Sequence, residues 1–187
     1  MRIVMVSGSR NREGKTARMV EALLRGAEEA GCECERWYLP ELTIERCRQC
    51  DLQGWGECRE NGTCVIEDDF ERVAASVRQA DGAVFATPVY FGDLSESMRA
   101  FLDRLRRVSF HDHAIPGIRG TVTVGVCVAG GGGGGAPSCS VSLEGILGRT
   151  GFQVEDLIPV RRQNMELKER VLEMTGTWLA SRIETES

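Results

Sequence analysis

Met1-Arg2-Ile3-Val4-Met5-Val6-Ser7-Gly8-Ser9-Arg10-Asn11-Arg12-Glu13-Gly14-Lys15-Thr16 opens the chain and decides its fold. Ile3 to Val6 is an uninterrupted apolar run of strand length. Beyond Thr16, Met19, Val20, Leu23, Leu24 and Ala27 recur at helical spacing, and Gly31 offers a left-handed stop. The polar stretch between them is a turn from strand to helix, where backbone N–H groups and a helix N-terminus aim at an anion. Ser7, Ser9 and Thr16 add hydroxyls, and Arg10, Arg12 and Lys15 add positive charge. The plain alternative is a polar connection without a ligand. The density of donors favours a phosphate site made by Ser7, Ser9, Arg10, Asn11, Gly14, Lys15 and Thr16.

Gly14-Lys15-Thr16 invites a nucleotide-triphosphatase reading, which spacing excludes. Such a loop has four residues between its first glycine and Gly-Lys-Ser/Thr, whereas Gly8 and Gly14 enclose five. The G-x-G-x-x-G dinucleotide fingerprint is absent as well. A mononucleotide phosphate is the ligand that remains.

Outward from this turn, apolar runs alternate with segments of helical period, the pattern of a parallel sheet covered on both faces. Trp37, Tyr38 and Leu39 end a second strand closed by Pro40. A second helix carries Phe70, Val73, Ala74 and Val77, with Asp68 and Asp69 as caps at its start. Ala83 to Ala86 is a buried central strand, and a third helix holds Met98, Phe101, Leu102 and Leu105. Thr121 to Ala129 forms a fourth strand ending in six glycines, Gly130 to Gly135. A short helix around Val141 to Leu147, a fifth strand near Phe152 to Val160 and a last helix with Leu167, Val171, Met174 and Trp178 complete one α/β domain over residues 1–187.

In such sheets ligands sit beyond the carboxyl ends of the strands. Thr87-Pro88-Val89-Tyr90-Phe91-Gly92-Asp93 puts an aromatic pair in a tight loop at one such end, suited to lining a planar ring, although loop aromatics often serve local packing. Gly130 and Gly131, at another strand end, let the backbone approach a ligand closely or act only as a flexible connector.

The formal charge of −5 argues against nucleic acid and anionic membrane as partners, since both need a basic face. No apolar stretch is long enough for a signal core or a membrane span, so a cytoplasmic protein is expected. Thiols stay reduced there. Cys47, Cys50, Cys58 and Cys64, spaced C-x2-C-x7-C-x5-C within the irregular segment from Glu41 to Ile66, therefore read as metal ligands. Four thiolates fill the shell of a [4Fe-4S] cluster or of tetrahedral zinc. Cys32, Cys34, Cys127 and Cys139 have no such spacing, and Cys127 reads as core. The two histidines, His111 and His113, fall in a polar stretch and read as surface residues; no nucleophile–base grouping is apparent.

Gly8-Ser9-Arg10 with Gly14-x-Thr16, Cys47-x-x-Cys50, Cys64-Val65-Ile66-Glu67-Asp68-Asp69-Phe70, Ala80-Asp81, Thr87-Pro88-Val89-Tyr90-Phe91 and Met98-x-x-Phe101-Leu102-Asp103-Arg104 run in order to about residue 110. Together they resemble the NADPH-dependent FMN reductase group of the flavodoxin-like superfamily, and within it the iron-sulfur flavoproteins. The resemblance implies a three-layer α/β/α sandwich with a five-stranded parallel sheet in the order 2-1-3-4-5 and a long cysteine-rich loop, residues 41–66, after strand 2. It implies FMN held by Ser7 to Thr16 at its phosphate and by Pro88 to Gly92 at its ring, with Asp103 and Arg104 pairing structurally or across a dimer.

Lys15 departs from the small polar residue usual before Thr16. The family's compact C-x2-C-x2-C motif is also interrupted, because Gln53 occupies the third position and the residues to Glu57 displace that cysteine to Cys58. Closing a slightly longer loop costs little, so four ligands remain attainable, with zinc as the alternative. A cluster is favoured because a second redox centre beside a flavin has a use. The expected function is electron transfer among a cluster, FMN and an external donor or acceptor, ferredoxin or NAD(P)H, in a homodimer or homotetramer. Competing readings are an NAD(P)H-dependent FMN or quinone reductase whose cysteines hold zinc or nothing, a flavodoxin-like carrier without enzymatic activity, and a flavin-free module with structural zinc.

Overall fold

A computed structural model describes residues 1–109 and 118–185; His111 and His113 lie outside them. The elements are β1 (Arg2–Ser7), α1 (Lys15–Glu29), β2 (Glu33–Tyr38), α2 (Glu57–Glu60), α3 (Phe70–Arg78), β3 (Gly82–Pro88), α4 (Glu96–Val108), β4 (Val122–Ala129), α5 (Ala136–Thr150), β5 (Gln153–Arg161) and α6 (Met165–Glu184). The five strands pair in parallel in the order β2-β1-β3-β4-β5. This is the doubly wound, flavodoxin-like sandwich that the alternation of periods requires.

Strand residues alternate between two cores. Ile3, Met5, Val84, Val124 and Val126 face α1 and α6. Val4, Val6, Phe85 and Cys127 face α3, α4 and α5. Central strands β3 and β4 are buried on both sides, which is why their sequences are continuously apolar. All eight cysteines carry free thiols. Among the described residues no helix is long and apolar enough to cross a membrane.

Three local expectations need correction. The helix read as Val141 to Leu147 is the fifteen-residue α5, which begins at Ala136 as soon as the glycines end, with Pro137 in its first turn where a missing N–H costs nothing. Leu39 does not extend β2: Leu39, Pro40 and Glu41 form a turn of 3-10 helix. Asp69 gives no side-chain cap to α3. Its carboxylate accepts the N–H of Thr43 at 2.9 Å, while Asp68 accepts those of Glu45 and Phe70 at 2.8 and 3.0 Å. The acidic pair thus holds the entrance of the cysteine-rich loop against the start of α3, since those loop N–H groups have no strand partner and need acceptors.

Candidate functional site

β1, β3 and β4 end side by side, and their three following loops are tied together. The N–H of Gly8 donates to the Ala86 carbonyl at 2.8 Å, Ser97 Oγ donates to the Gly8 carbonyl at 3.2 Å, and Val89 N–H donates to the Val128 carbonyl at 3.0 Å. Lys15 Nζ donates to the Gly130 carbonyl at 2.5 Å. This ties its added charge to the glycine loop.

In the first loop Ser7 is fully buried and its Oγ accepts the Ser9 N–H at 3.2 Å, which fixes the turn from within. Asn11 Oδ1 accepts the Glu13 N–H at 2.9 Å, and the Gly14 N–H closes back on the Asn11 carbonyl at 3.2 Å. α1 then starts without a side-chain cap. Its first N–H groups and its positive dipole end face the loop, next to exposed Arg10 and the nearly buried hydroxyl of Thr16. An uncapped start with hydroxyls and a cation around it fits a phosphate. Arg12 is engaged elsewhere: Nε donates to Glu41 at 2.6 Å, and the guanidinium lies over the Tyr38 ring at 4.5 Å.

In the second loop Thr87 is fully buried; its hydroxyl accepts the Ser95 N–H at 3.0 Å and donates to the Pro88 carbonyl at 3.0 Å. Tyr90 and Asp93 exchange backbone hydrogen bonds of 3.0 Å each, closing a tight turn with Phe91 at φ 50° and Gly92 at φ 81°. Two successive positive φ values make it a type I′ turn. The N–H groups of Val89 and Tyr90 are therefore committed within the protein and do not serve a ring's polar edge. Phe91 and Gly92 are left for that role.

Phe91 is fully exposed and Tyr90 about half exposed, so the aromatic pair stands outside the core. Holding a bulky residue in the left-handed region costs energy, and such strain collects where a loop serves a ligand. The Asp93 carboxylate accepts Arg99 Nη2 at 2.6 Å and the Leu94 N–H at 2.8 Å. Burial raises its pKa, and these donors more than reverse that and hold it below the usual carboxylate range.

The third loop packs backbone to backbone on the second. A Cβ at Gly135, which has φ 81°, would stand 2.7 Å from Gly92 Cα, so only glycine fits there. Ser138 Oγ donates to the Gly92 carbonyl at 3.0 Å and Gln163 Nε2 to that of Gly132 at 3.1 Å. A Cβ at Gly131 would meet nothing within 4 Å, leaving this part of the loop open on its outer side.

Cys47, Cys50, Cys58 and Cys64 all line one cavity, together with Trp55, Arg104 and Arg107. Burial pushes the Cys58 thiol up, and Cys47 and Cys64 push the same way, while the Gly56 N–H and Arg107 oppose them. Arg104 is 1% exposed and pairs with Asp68 at 2.6 Å; it also donates to the carbonyls of Glu45 and Ile66 at 3.1 and 3.3 Å. Asp103 pairs with Arg106 at 3.1 Å, so within the chain Asp103 and Arg104 each have a different partner. The Nε atoms of Arg104 and Arg107 are buried without a hydrogen-bond partner.

Four thiols and two arginines with an unpaired Nε–H each, all lining one cavity, suit a thiolate-bound centre, whose sulfur atoms accept hydrogen bonds. As placed, the thiols line the wall without converging: among the described residues no three His, Cys, Asp or Glu side chains stand ready to share an ion. The cavity lies near the C-terminal end of α4, whereas Ser95 and Ser97 near its start meet the first two strand-end loops. From Ser97 to Arg107 the helix rises roughly 15 Å. The two candidate sites of one chain are thus separated along α4, rather than side by side as the usefulness of a second centre beside a flavin suggests.

Sequence reading missed Ser95, Ser97, Ser138 and Gln163, which brace the loops, and Arg107 of the cavity. Only Ser95 carries a recognisable signal, as the N-cap of α4 accepting the Met98 N–H.

A family model described as NADPH-dependent FMN reductase matches residues 1–153. An iron-sulfur flavoprotein of Methanocaldococcus jannaschii is 31% identical over 125 residues, which are 67% of this chain and 62% of that protein. One of Methanosarcina thermophila is 33% identical over 113 residues, 59% of this chain and 56% of that protein. The matched stretch spans about three fifths of the length of these relatives. Among solved structures, an NAD(P)H:quinone oxidoreductase from Methanothermobacter marburgensis superposes with a TM-score of 0.69 at 19% identity, covering 96% of each chain.

Proposed function

The chain belongs to the NADPH-dependent FMN reductase family, and from there we propose that it is an FMN-dependent oxidoreductase in which Cys47, Cys50, Cys58 and Cys64 hold an iron-sulfur cluster. The observation that carries the cluster is that all four cysteines line one cavity, faced by Arg104 and Arg107. The iron-sulfur flavoproteins among its relatives support the same reading. FMN would supply one- and two-electron chemistry at the strand ends, and the cluster one-electron chemistry at the cysteine loop.

The chain's own residues bind and orient. Ser9, Arg10, Thr16 and the start of α1 hold a phosphate. Phe91 and Gly92 present N–H groups to the ring's polar edge, and Tyr90 and Phe91 cover part of its face. The exposed aromatic pair is the surface through which a homodimer or homotetramer would shield that ring. Ferredoxin or NAD(P)H is the proposed electron donor.

Anaerobic purification, a visible spectrum, and assays of iron, acid-labile sulfide and zinc on one sample test the proposal. Flavin bands over broad cluster absorbance, with about four irons per chain, are expected from four thiolate ligands. Flavin with zinc or without metal would leave an NAD(P)H-dependent reductase, the second reading. Colourless protein that takes up no FMN refutes both.

A further inference from the structure

The cysteine cavity contains more than thiols. Arg107 sits in the last turn of α4, donates through Nη1 to the Gly54 carbonyl, and lies over the Trp55 ring at 4.9 Å. Arg59 reaches the same ring at 5.9 Å but does not line the cavity. Arg104, sealed inside, is fixed by Asp68 and two carbonyls. Each guanidinium therefore has its position determined by other contacts, yet each keeps a buried Nε–H without an acceptor. Buried donors are ordinarily paired, so two orphans at one cavity call for an acceptor that the protein's own oxygen atoms do not provide.

We infer that Arg104 and Arg107 are positioning residues of the cluster, whose Nε–H groups and positive charge are directed at its sulfur atoms and set its reduction potential. The inference rests on the cluster reading above. Electrostatics agrees with the geometry: Arg104 interacts with Cys64 as well as Asp68, and Arg107 with Cys58. Hydrogen bonds and positive charge at thiolate or sulfide favour the more negative, reduced state, so both arginines raise the potential. Their placement also gives the displaced third cysteine its own counter-charge. Cys58, which follows the inserted residues, interacts with Arg107, and Cys64 with Arg104.

The test uses the full chain with its cofactors, purified anaerobically. Iron and sulfide are assayed first, and the cluster potential is then measured by dye-mediated titration in wild type, Arg107→Gln, Arg107→Lys and Arg59→Gln. Arg107→Gln is expected to favour the oxidised cluster about tenfold, which for one electron is a fall of 59 mV. Arg59→Gln removes the same charge from the same ring but leaves the cavity wall intact, and its potential stays near wild type. Equal shifts in the two Gln variants, or none in either, would overturn the inference. Should Arg107→Gln fail to retain iron, Arg107→Lys carries the comparison. A lowered potential there, with charge kept and the planar donor lost, supports the role, and an unchanged one overturns it. Wild type without iron and sulfide removes the cluster reading, and the inference with it, before any titration is run.

Discussion

Asp68→Asn tests how the cysteine loop is attached. The Asp68–Arg104 pair is sealed from water, with side chains 3% and 1% exposed. Removing one partner of a buried pair leaves an uncompensated charge and costs about 3–5 kcal/mol. Arg104 would keep its two carbonyls and its contact with the Phe70 ring at 4.2 Å. The lower end, about 3 kcal/mol, is therefore expected. Urea unfolding followed by circular dichroism measures this as a fall in midpoint at unchanged slope.

The double variant Asp68→Asn/Arg104→Met should recover much of the loss, because a buried pair replaced by neutral groups is often nearly without cost. Acid gives a second signature. Burial pushes the Asp68 pKa up, and Arg104 with the N–H groups of Glu45 and Phe70 more than reverses it, leaving the folded pKa below the ordinary value. Its stabilisation is complete above the unfolded pKa of about 3.9 and is lost as pH falls through the folded one. Wild-type and Asp68→Asn stabilities should converge there. A cost under about 1 kcal/mol, the range of exposed pairs, would refute the account.

Three further outcomes are expected. Thr16→Ala should weaken FMN binding about 3- to 15-fold, one hydrogen bond's worth, in a flavin fluorescence titration, while Arg12→Gln, already tied to Glu41, leaves affinity within about twofold. Gly135→Ala should destabilise the protein by more than about 1 kcal/mol and weaken FMN binding as well, measured by thermal unfolding and the same titration, because the Cβ meets Gly92 and the φ is positive. Burial, with Glu28 beside it, pushes the Cys34 thiol up to about 12. It should resist iodoacetamide at pH 8 in folded protein and react on unfolding, as peptide mass mapping would report.

The parallel sheet and the turn from β1 into α1 were legible because strand and helix periods change abruptly at Ser7 and Thr16, and such changes are local. The four cysteines were legible as a group because they share one irregular segment. Arg107 was not, and Arg104 was legible only as part of a motif, not as a wall of the cavity: both belong to a helix with a periodic apolar face, and nothing local says that a loop some 50 residues earlier folds over them. Asp68 and Asp69 look like caps because helix starts favour acids, and only the tertiary structure shows the loop N–H groups competing for them. α5 was shortened because Ser138, Ser140 and exposed Val141 dilute the apolar stripe that Leu143 and Leu147 continue.

The cysteine loop enters and leaves the domain through one neck, where the Asp69 N–H donates to the Thr43 carbonyl at 3.0 Å and the Asp68 and Asp69 carboxylates hold Glu45 and Thr43. A neck of this kind makes the loop an exchangeable cassette. Residues such as Gln53 to Glu57 lie beyond it, so loop length and cysteine spacing can change there without moving a strand.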